Sequence, residues 1–297
     1  MSHDTEGTYY LPAPSYWPIV GSCALFCIMF GAAHWLHGNA YGPYLFAAGL
    51  VILLAMMFGW FGAVIKESLA GFYDKQVDHS FRWGMVWFIF SEVMFFGAFF
   101  GALFYARIST VPELAGDSTS IFTASTLTHY LIWPNFIAHW PLLHNPEPAL
   151  FAGPKQAMAP WGLPALNTLI LLTSGATVTW AHWGILKDKR IHVLIGLLLT
   201  VLLGMSFLAC QAYEYIHAYE HYQLRLDSGI YGTTFFMLTG FHGLHVTIGT
   251  LMLLVVLIRA YLNHFNPKHH FAFEAVSWYW HFVDVVWLFL FIFVYWL

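Results

Sequence analysis

Apolar residues in this chain come in solid blocks, not in alternating dyads. Seven blocks are long enough to cross a bilayer, which takes about 20 residues of helix. They run Pro18–Leu36, Tyr44–Ile65, Trp83–Tyr105, Ala165–Leu186, Val193–Ala212, Thr233–Ile258 and Phe273–Leu297. Aromatic residues such as Trp17, Trp35, Trp60, Trp83, Trp183, Tyr261 and Trp296 mark the block ends. Rings with an apolar body and a polar tip settle there, at headgroup level. A membrane barrel would instead show alternating segments of about 10 residues. The pattern predicts an all-α, polytopic membrane protein with seven transmembrane helices.

Composition supports that reading. Hydrophobic residues make up 59% of the 297 and charged residues 9%, with a mean hydropathy of +0.64. So little charge could not cover a water-soluble body of this size, since ordinary soluble domains carry about 25%. A soluble enzyme and a disordered chain are therefore poor readings. The net charge of −4 and the lack of a basic run speak against nucleic acid as a partner. The opening stretch MSHDTEGTYYLPAPSYWP is polar and lacks Lys and Arg, so no cleavable signal is expected. Cys23, Cys27 and Cys210 lie in apolar runs and read as packing residues.

Charge also sets an expected orientation. Lys66, Lys75, Arg82, Lys187, Lys189, Arg190, Arg259 and Lys268 fall on one side, and Arg107, Lys155 and Arg225 on the other. The positive-inside rule then puts the N-terminus in the cytoplasm and the C-terminus outside. The outer loop, 106–160, holds seven of the 13 prolines and is no span. Its apolar stretch HYLIWPNFIAHWP is expected to lie on the membrane surface or against a partner. Seven spans do not halve evenly, and no transporter-type repeat is evident.

Several polar groups sit where lipid makes them costly. Glu92, in FIFSEVMFFGAFFG, lies deep in the third block. A mid-bilayer charge costs about 2.5–3.5 kcal/mol on insertion scales. It reads either as a proton-handling or partner-contacting group, or as a protonated acid hydrogen-bonded to a neighbouring helix. His242 and His245 share a face at i,i+3 in GFHGLHVTIG, and His281 and Asp284 repeat the spacing in WYWHFVDVVWLFL. These four could form a His3-carboxylate metal site. The competing and favoured reading is interhelical hydrogen bonding, with Gly240, Gly243 and Gly249 admitting close neighbours. His34 and His182 are read as structural too. Gly97 and Gly101 predict a tight small-xxx-small helix contact. Glu214 and Glu220, near the end of the fifth block, are expected at the solvated interface. Trp60, Lys66, Glu67 and Arg82 gather at the inner ends of the second and third blocks. There they could hold a phospholipid headgroup or simply anchor the helices.

The blocks FIFSEVMFFGAFF, LNTLILLTSGATVTWAHW, GIYGTTFFMLTGFHGLHVTIG and HHFAFEAVSWYWHFVDVVWLFLFIFVYW resemble subunit III of cytochrome c oxidase. The similarity runs from YWP near the N-terminus to the last residue. A longer loop around Ser118–Pro160 departs from the compact mitochondrial form, as a bacterial seven-span member would. The resemblance implies a non-catalytic subunit III of a proton-pumping oxidase in the bacterial inner membrane, beside the catalytic subunit I and with subunit II in the complex. Cytochrome c would be the electron donor, and haem and copper would lie in the partner subunits, with none in this chain. It further implies a two-helix bundle with its tail (1–72) and a five-helix bundle (73–297), separated by a cleft filled with bound phospholipids. By the same resemblance Trp60, Glu67, Arg82, Phe88, Arg259 and His264 contact lipid, although Leu262 stands where some members have a basic residue. Glu92 matches the family's buried, carbodiimide-reactive carboxylate, and His242, His245, His281 and Asp284 are structural. A quinol oxidase subunit is the nearest alternative, but such relatives often lack the first two spans. A stand-alone proton channel or transporter built on Glu92 is a further alternative.

Overall fold

The computed structural model describes residues 10–116 and 126–297, with side chains from 129 onward in the second stretch. The tail up to residue 9 and loop residues 117–125, including Ser118, lie outside the described residues. The long helices are α1 (Trp17–Leu36), α2 (Gly42–Leu69), α3 (Lys75–Tyr105), α6 (Leu163–Leu186), α7 (Arg190–Glu220), α8 (Ile230–Tyr261) and α9 (Phe271–Leu290). Short helices α4 (Val111–Leu114) and α5 (Thr126–Ile132) fall in the outer loop. Wider π turns, Ala106–Thr110 and Phe291–Trp296, extend α3 and α9. All seven long elements are apolar enough to span a membrane, and among the described residues there is no strand.

The helices overrun the apolar blocks because their ends obey backbone rules rather than hydropathy. Proline opens α1, α2 and α6 in the first turn, where its missing N–H costs nothing. Four stops share one design. A left-handed residue, Gly38, Gly71, Asp188 or Asn263, follows the helix. The next amide then reaches back five residues: Asn39 to His34, Phe72 to Glu67, Lys189 to Gly184 and His264 to Arg259. That bond satisfies a carbonyl the helix itself leaves open.

The chain divides into two compact units, Met1–Trp83 and Gly84–Leu297, with the boundary inside α3. In the first, α1 and α2 form a hairpin with backbones in contact. Gly31 lies against the Phe46 backbone and Gly42 against that of Trp35. A β-carbon at Gly49 would come within 2.8 Å of the Ile28 amide nitrogen. Small residues are what let membrane helices approach this closely.

In the second unit α9 packs on α6 and α8, and α7 packs on the same two helices. Trp280 and Trp287 are fully buried, and their indoles donate to Ser174 Oγ and Thr168 Oγ1 of α6, each at 2.9 Å. Gly204 and Gly249 make room for the Trp280 ring, since a β-carbon on either would sit 2.8–2.9 Å from its neighbours there. Hydrogen bonds tie α7 to its neighbours as well: Thr177 to Thr200, and Tyr215 to Thr239, both 2.7 Å. With no water in hydrocarbon to compete, side-chain bonds of this kind hold helices in register.

Two glycine expectations are corrected. Gly97 and Gly101 make no tight contact: nothing lies within 4 Å of where their β-carbons would be. They line an apolar groove of about 710 Å³ between α3 and α9. The reason is the neighbouring rings. Phe95, Phe96 and Phe100 bridge to Phe241, His245 and Phe289 and keep the α3 backbone at a distance. Of the glycines in α8, Gly249 sits tightly against Trp280, Gly240 meets only the Tyr215 hydroxyl at 3.6 Å, and Gly243 is open.

Part of the outer loop packs on this chain's own bundle. Phe136, Leu142 and Met158 join the core, and Trp140 meets Tyr231 edge-on at 5.9 Å. Asn145 fixes the fold-back by donating to the carbonyls of Phe151 and Ser228. The prolines rule out a span; Phe136 and Leu142 still find a surface to cover, while Leu131, Ile132 and Ile137 stay exposed.

Candidate functional site

Glu92 faces α8. Its carboxyl oxygen lies 2.9 Å from Nε2 of His245, and the two side chains are 22% and 10% exposed. The second ring nitrogen of His245, Nδ1, donates to the Phe241 carbonyl at 2.7 Å, which fixes the ring. Nδ1 therefore carries hydrogen whatever the state of Nε2. Either the Glu92 hydroxyl donates to a bare Nε2, or an imidazolium Nε2–H donates to the carboxylate. Both arrangements hold one proton between the groups and leave the pair neutral overall. Phe96 stands edge-on to the imidazole at 4.9 Å, and Tyr279 stacks at 6.3 Å. Phe88 in turn stacks on Tyr279.

The other intramembrane polar residues go elsewhere. His242, fully buried, donates through Nε2 to the Val283 carbonyl at 3.2 Å and sits against Phe207 and Trp287. His281 lies 3.2 Å from Thr179 of α6 and 3.6 Å from Asp284. Asp284 is accommodated by Gly175, where a β-carbon would come 2.5 Å from Oδ2. Both border a second cavity of about 470 Å³ between α6 and α9. So His242 and His245, three residues apart, serve different helices, and the four residues do not converge on one point.

The lipid candidates fall into both units. In the first, Glu67 accepts the Tyr73 hydroxyl at 2.8 Å, and Arg82 Nε donates to Asp78 at 2.8 Å. Burial, reinforced by the Glu67 carboxylate, pushes the Tyr73 phenol above its ordinary value, so it stays a donor. Trp60 is 42% exposed. In the second unit, Phe88 is half exposed. Arg259 lies 4.7 Å from the Phe265 ring centroid, and its Nε is buried without a hydrogen bond. Nδ1 of His264, five residues on, is buried without a partner as well.

One residue is corrected in the opposite sense. Glu214 is not solvated at an interface; it is 2% exposed and accepts the Tyr295 hydroxyl at 2.7 Å. The fifth block ends at Ala212 by hydropathy, but α7 continues to Glu220 inside the bundle, carrying Glu214 into the interior. Tyr295, two residues from the end of the chain, gave no signal of its partner in the sequence.

Bilayer-length helices cross-linked by buried side-chain hydrogen bonds define an integral membrane protein of the helical-bundle class. A family model described as Cytochrome c oxidase subunit III matches residues 7–127 and 149–297, and the chain belongs to that family. The internal stretch left unmatched, 128–148, falls in the outer loop. The chain is 42% identical over 299 residues to cytochrome c oxidase subunit 3 of Arabidopsis thaliana, covering 100% of this chain and 98% of the relative. It is 41% identical to that of Petromyzon marinus over 297 residues, with 100% and 99% covered. The chain is thus a subunit of an oxidoreductase complex and works with other oxidase subunits.

Proposed function

We propose that this chain is the non-catalytic subunit of a proton-pumping oxidase that takes electrons from cytochrome c. It stabilises the catalytic subunit I, holds structural phospholipids and supports proton uptake during oxygen reduction. Haem and copper belong to the partner subunits, with subunit II completing the core. The complex sits in a bacterial inner membrane with the N-terminus of this chain in the cytoplasm and its C-terminus outside. The chain comprises the tail with spans one and two (1–72) and the remaining five spans (73–297).

The observation that carries this reading is the Glu92–His245 pair. It is a proton-holding couple on two bilayer-length helices, framed by aromatic rings. A second support is uneven burial. Only 11% of the most apolar windows of α2 and α3 is covered within the chain, against 50% for α9. Surface that apolar wants lipid or another membrane subunit. The buried Arg259 guanidinium, with Nε lacking a partner, suits an anionic headgroup.

Native mass spectrometry of the detergent-extracted assembly tests the reading. This chain should travel with haem-bearing partners and retained phospholipid, and Arg259→Ala should carry about one lipid fewer per complex. Migration of the chain alone, or proton flux through it alone in vesicles, would refute the proposal.

Substituting Glu92→Gln should leave electron transfer largely intact. The amide can still donate to Nε2, and oxygen chemistry lies in another subunit. The measurement is turnover of the purified complex with reduced cytochrome c. Loss of most activity with the complex still assembled contradicts the assignment.

A further inference from the structure

Where α6 ends and α9 begins, three side chains converge that neither the lipid candidates nor the Glu92 pair uses. His182 stands just over a turn before the end of α6, His270 caps α9, and Glu274 lies in its first turn. One ligand atom of each lies within 4.8 Å of the other two. Nε2 of His182 is 3.5 Å from Oε1 of Glu274, and Nε2 of His270 is 3.3 Å from the same oxygen. Four ligands at the usual 2.0–2.1 Å around a tetrahedral Zn²⁺ stand about 3.3–3.4 Å apart. Two edges of the triangle, at 3.5 and 3.3 Å, are already close to that length.

His270 is set up as a ligand. Its Nδ1 donates to the Asn266 carbonyl at 3.1 Å, so Nε2, which faces the cluster, is the nitrogen placed to ligate. The side chain is 8% exposed, and Nε2 is buried with no hydrogen bond. A backbone carbonyl on the far nitrogen is the usual orienting contact of a metal-binding histidine. Asn266 is held in turn, because its side-chain oxygen accepts the amides of Lys268 and His269. A helix cap would need only the acid near the N-terminus. It would not need a second imidazole from another helix, nor a backbone carbonyl orienting the first.

We propose that His182, His270 and Glu274 bind one divalent transition-metal ion of the Zn²⁺ type, with water in the fourth position. Two imidazoles and a carboxylate favour such an ion over Ca²⁺ or Mg²⁺, which prefer all-oxygen sets. The ion would clamp the end of α6 to the start of α9.

The full-length chain in detergent, titrated with Co²⁺ as a spectroscopic stand-in, tests this. The expected result is about one equivalent bound with the intense visible bands of four-coordinate cobalt, displaced by Zn²⁺. Glu274→Gln and His182→Gln, with helical circular dichroism unchanged, should weaken binding at least about 100-fold. Failure to see the four-coordinate bands overturns the proposal, and so does unchanged affinity in both variants. Should the variants not fold, X-ray absorption of the zinc-loaded wild-type chain decides: imidazole scattering supports the site, and its absence removes it.

Discussion

Replacing Trp280 with Ala should destabilise the five-helix unit by about 3–5 kcal/mol, enough to cost most of the assembled protein in a membrane preparation. The indole is completely buried at the point where α6, α7, α8 and α9 meet. Its removal empties the volume that Gly204 and Gly249 leave for it and takes the N–H away from Ser174 Oγ. Ser174 itself stays anchored to the Leu171 carbonyl, so the loss is chiefly one of packing. In lipid there is no water to drive helices together, and contact between surfaces is what holds them. Unfolding by SDS in mixed micelles measures the change. A shift below about 1 kcal/mol would mean that the site collapses far more readily than such cores do.

The second large effect is in the α1–α2 hairpin. Gly31→Val places a branched side chain against the Phe46 backbone, which cannot move aside as a flexible side chain would. Overpacking of this kind costs about 1–3 kcal/mol in general, and a backbone obstacle puts it at the upper end or beyond. The same micelle titration reads it. The informative control is Gly97→Ala or Gly101→Ala, where open space awaits the methyl group. Those should be neutral or stabilising, by up to about 1 kcal/mol, because alanine is the better helix former. Equal damage from both sets would show that glycine spacing, not contact, decides the outcome.

That contrast marks what the sequence could convey. Spans are legible because lipid imposes length and hydropathy on every one, and all seven are found at the expected places. Their ends are not, because α3 begins at Lys75 and α7 runs on to Glu220 through residues that hydropathy scores as polar. Membership of the subunit III family is also legible, carried by blocks along the whole chain. Glu92 stands out as costly by position alone. Its partner does not, because His245 lies 153 residues away and a single sequence holds no record of proximity. The pairing of Glu214 with Tyr295 was hidden for the same reason. Neither His270 nor Glu274 stood out in the sequence, and the approach of His182 comes only from α6 packing on α9. For Gly97 and Gly101 the spacing was present and the contact was not, because phenylalanine rings set the helix separation.

The overrun of the helices bears on the kind of bilayer that suits this protein. At 1.5 Å per residue, the 31 residues of α7 span about 46 Å, whereas the hydrocarbon layer is about 30 Å thick. The surplus lets the bundle meet a thicker or thinner membrane by a slight change of tilt, without drawing a frayed end into the oil. Hydrophobic mismatch should therefore weigh lightly on α7 and α8. It should weigh more on α1, which at 20 residues has little to spare.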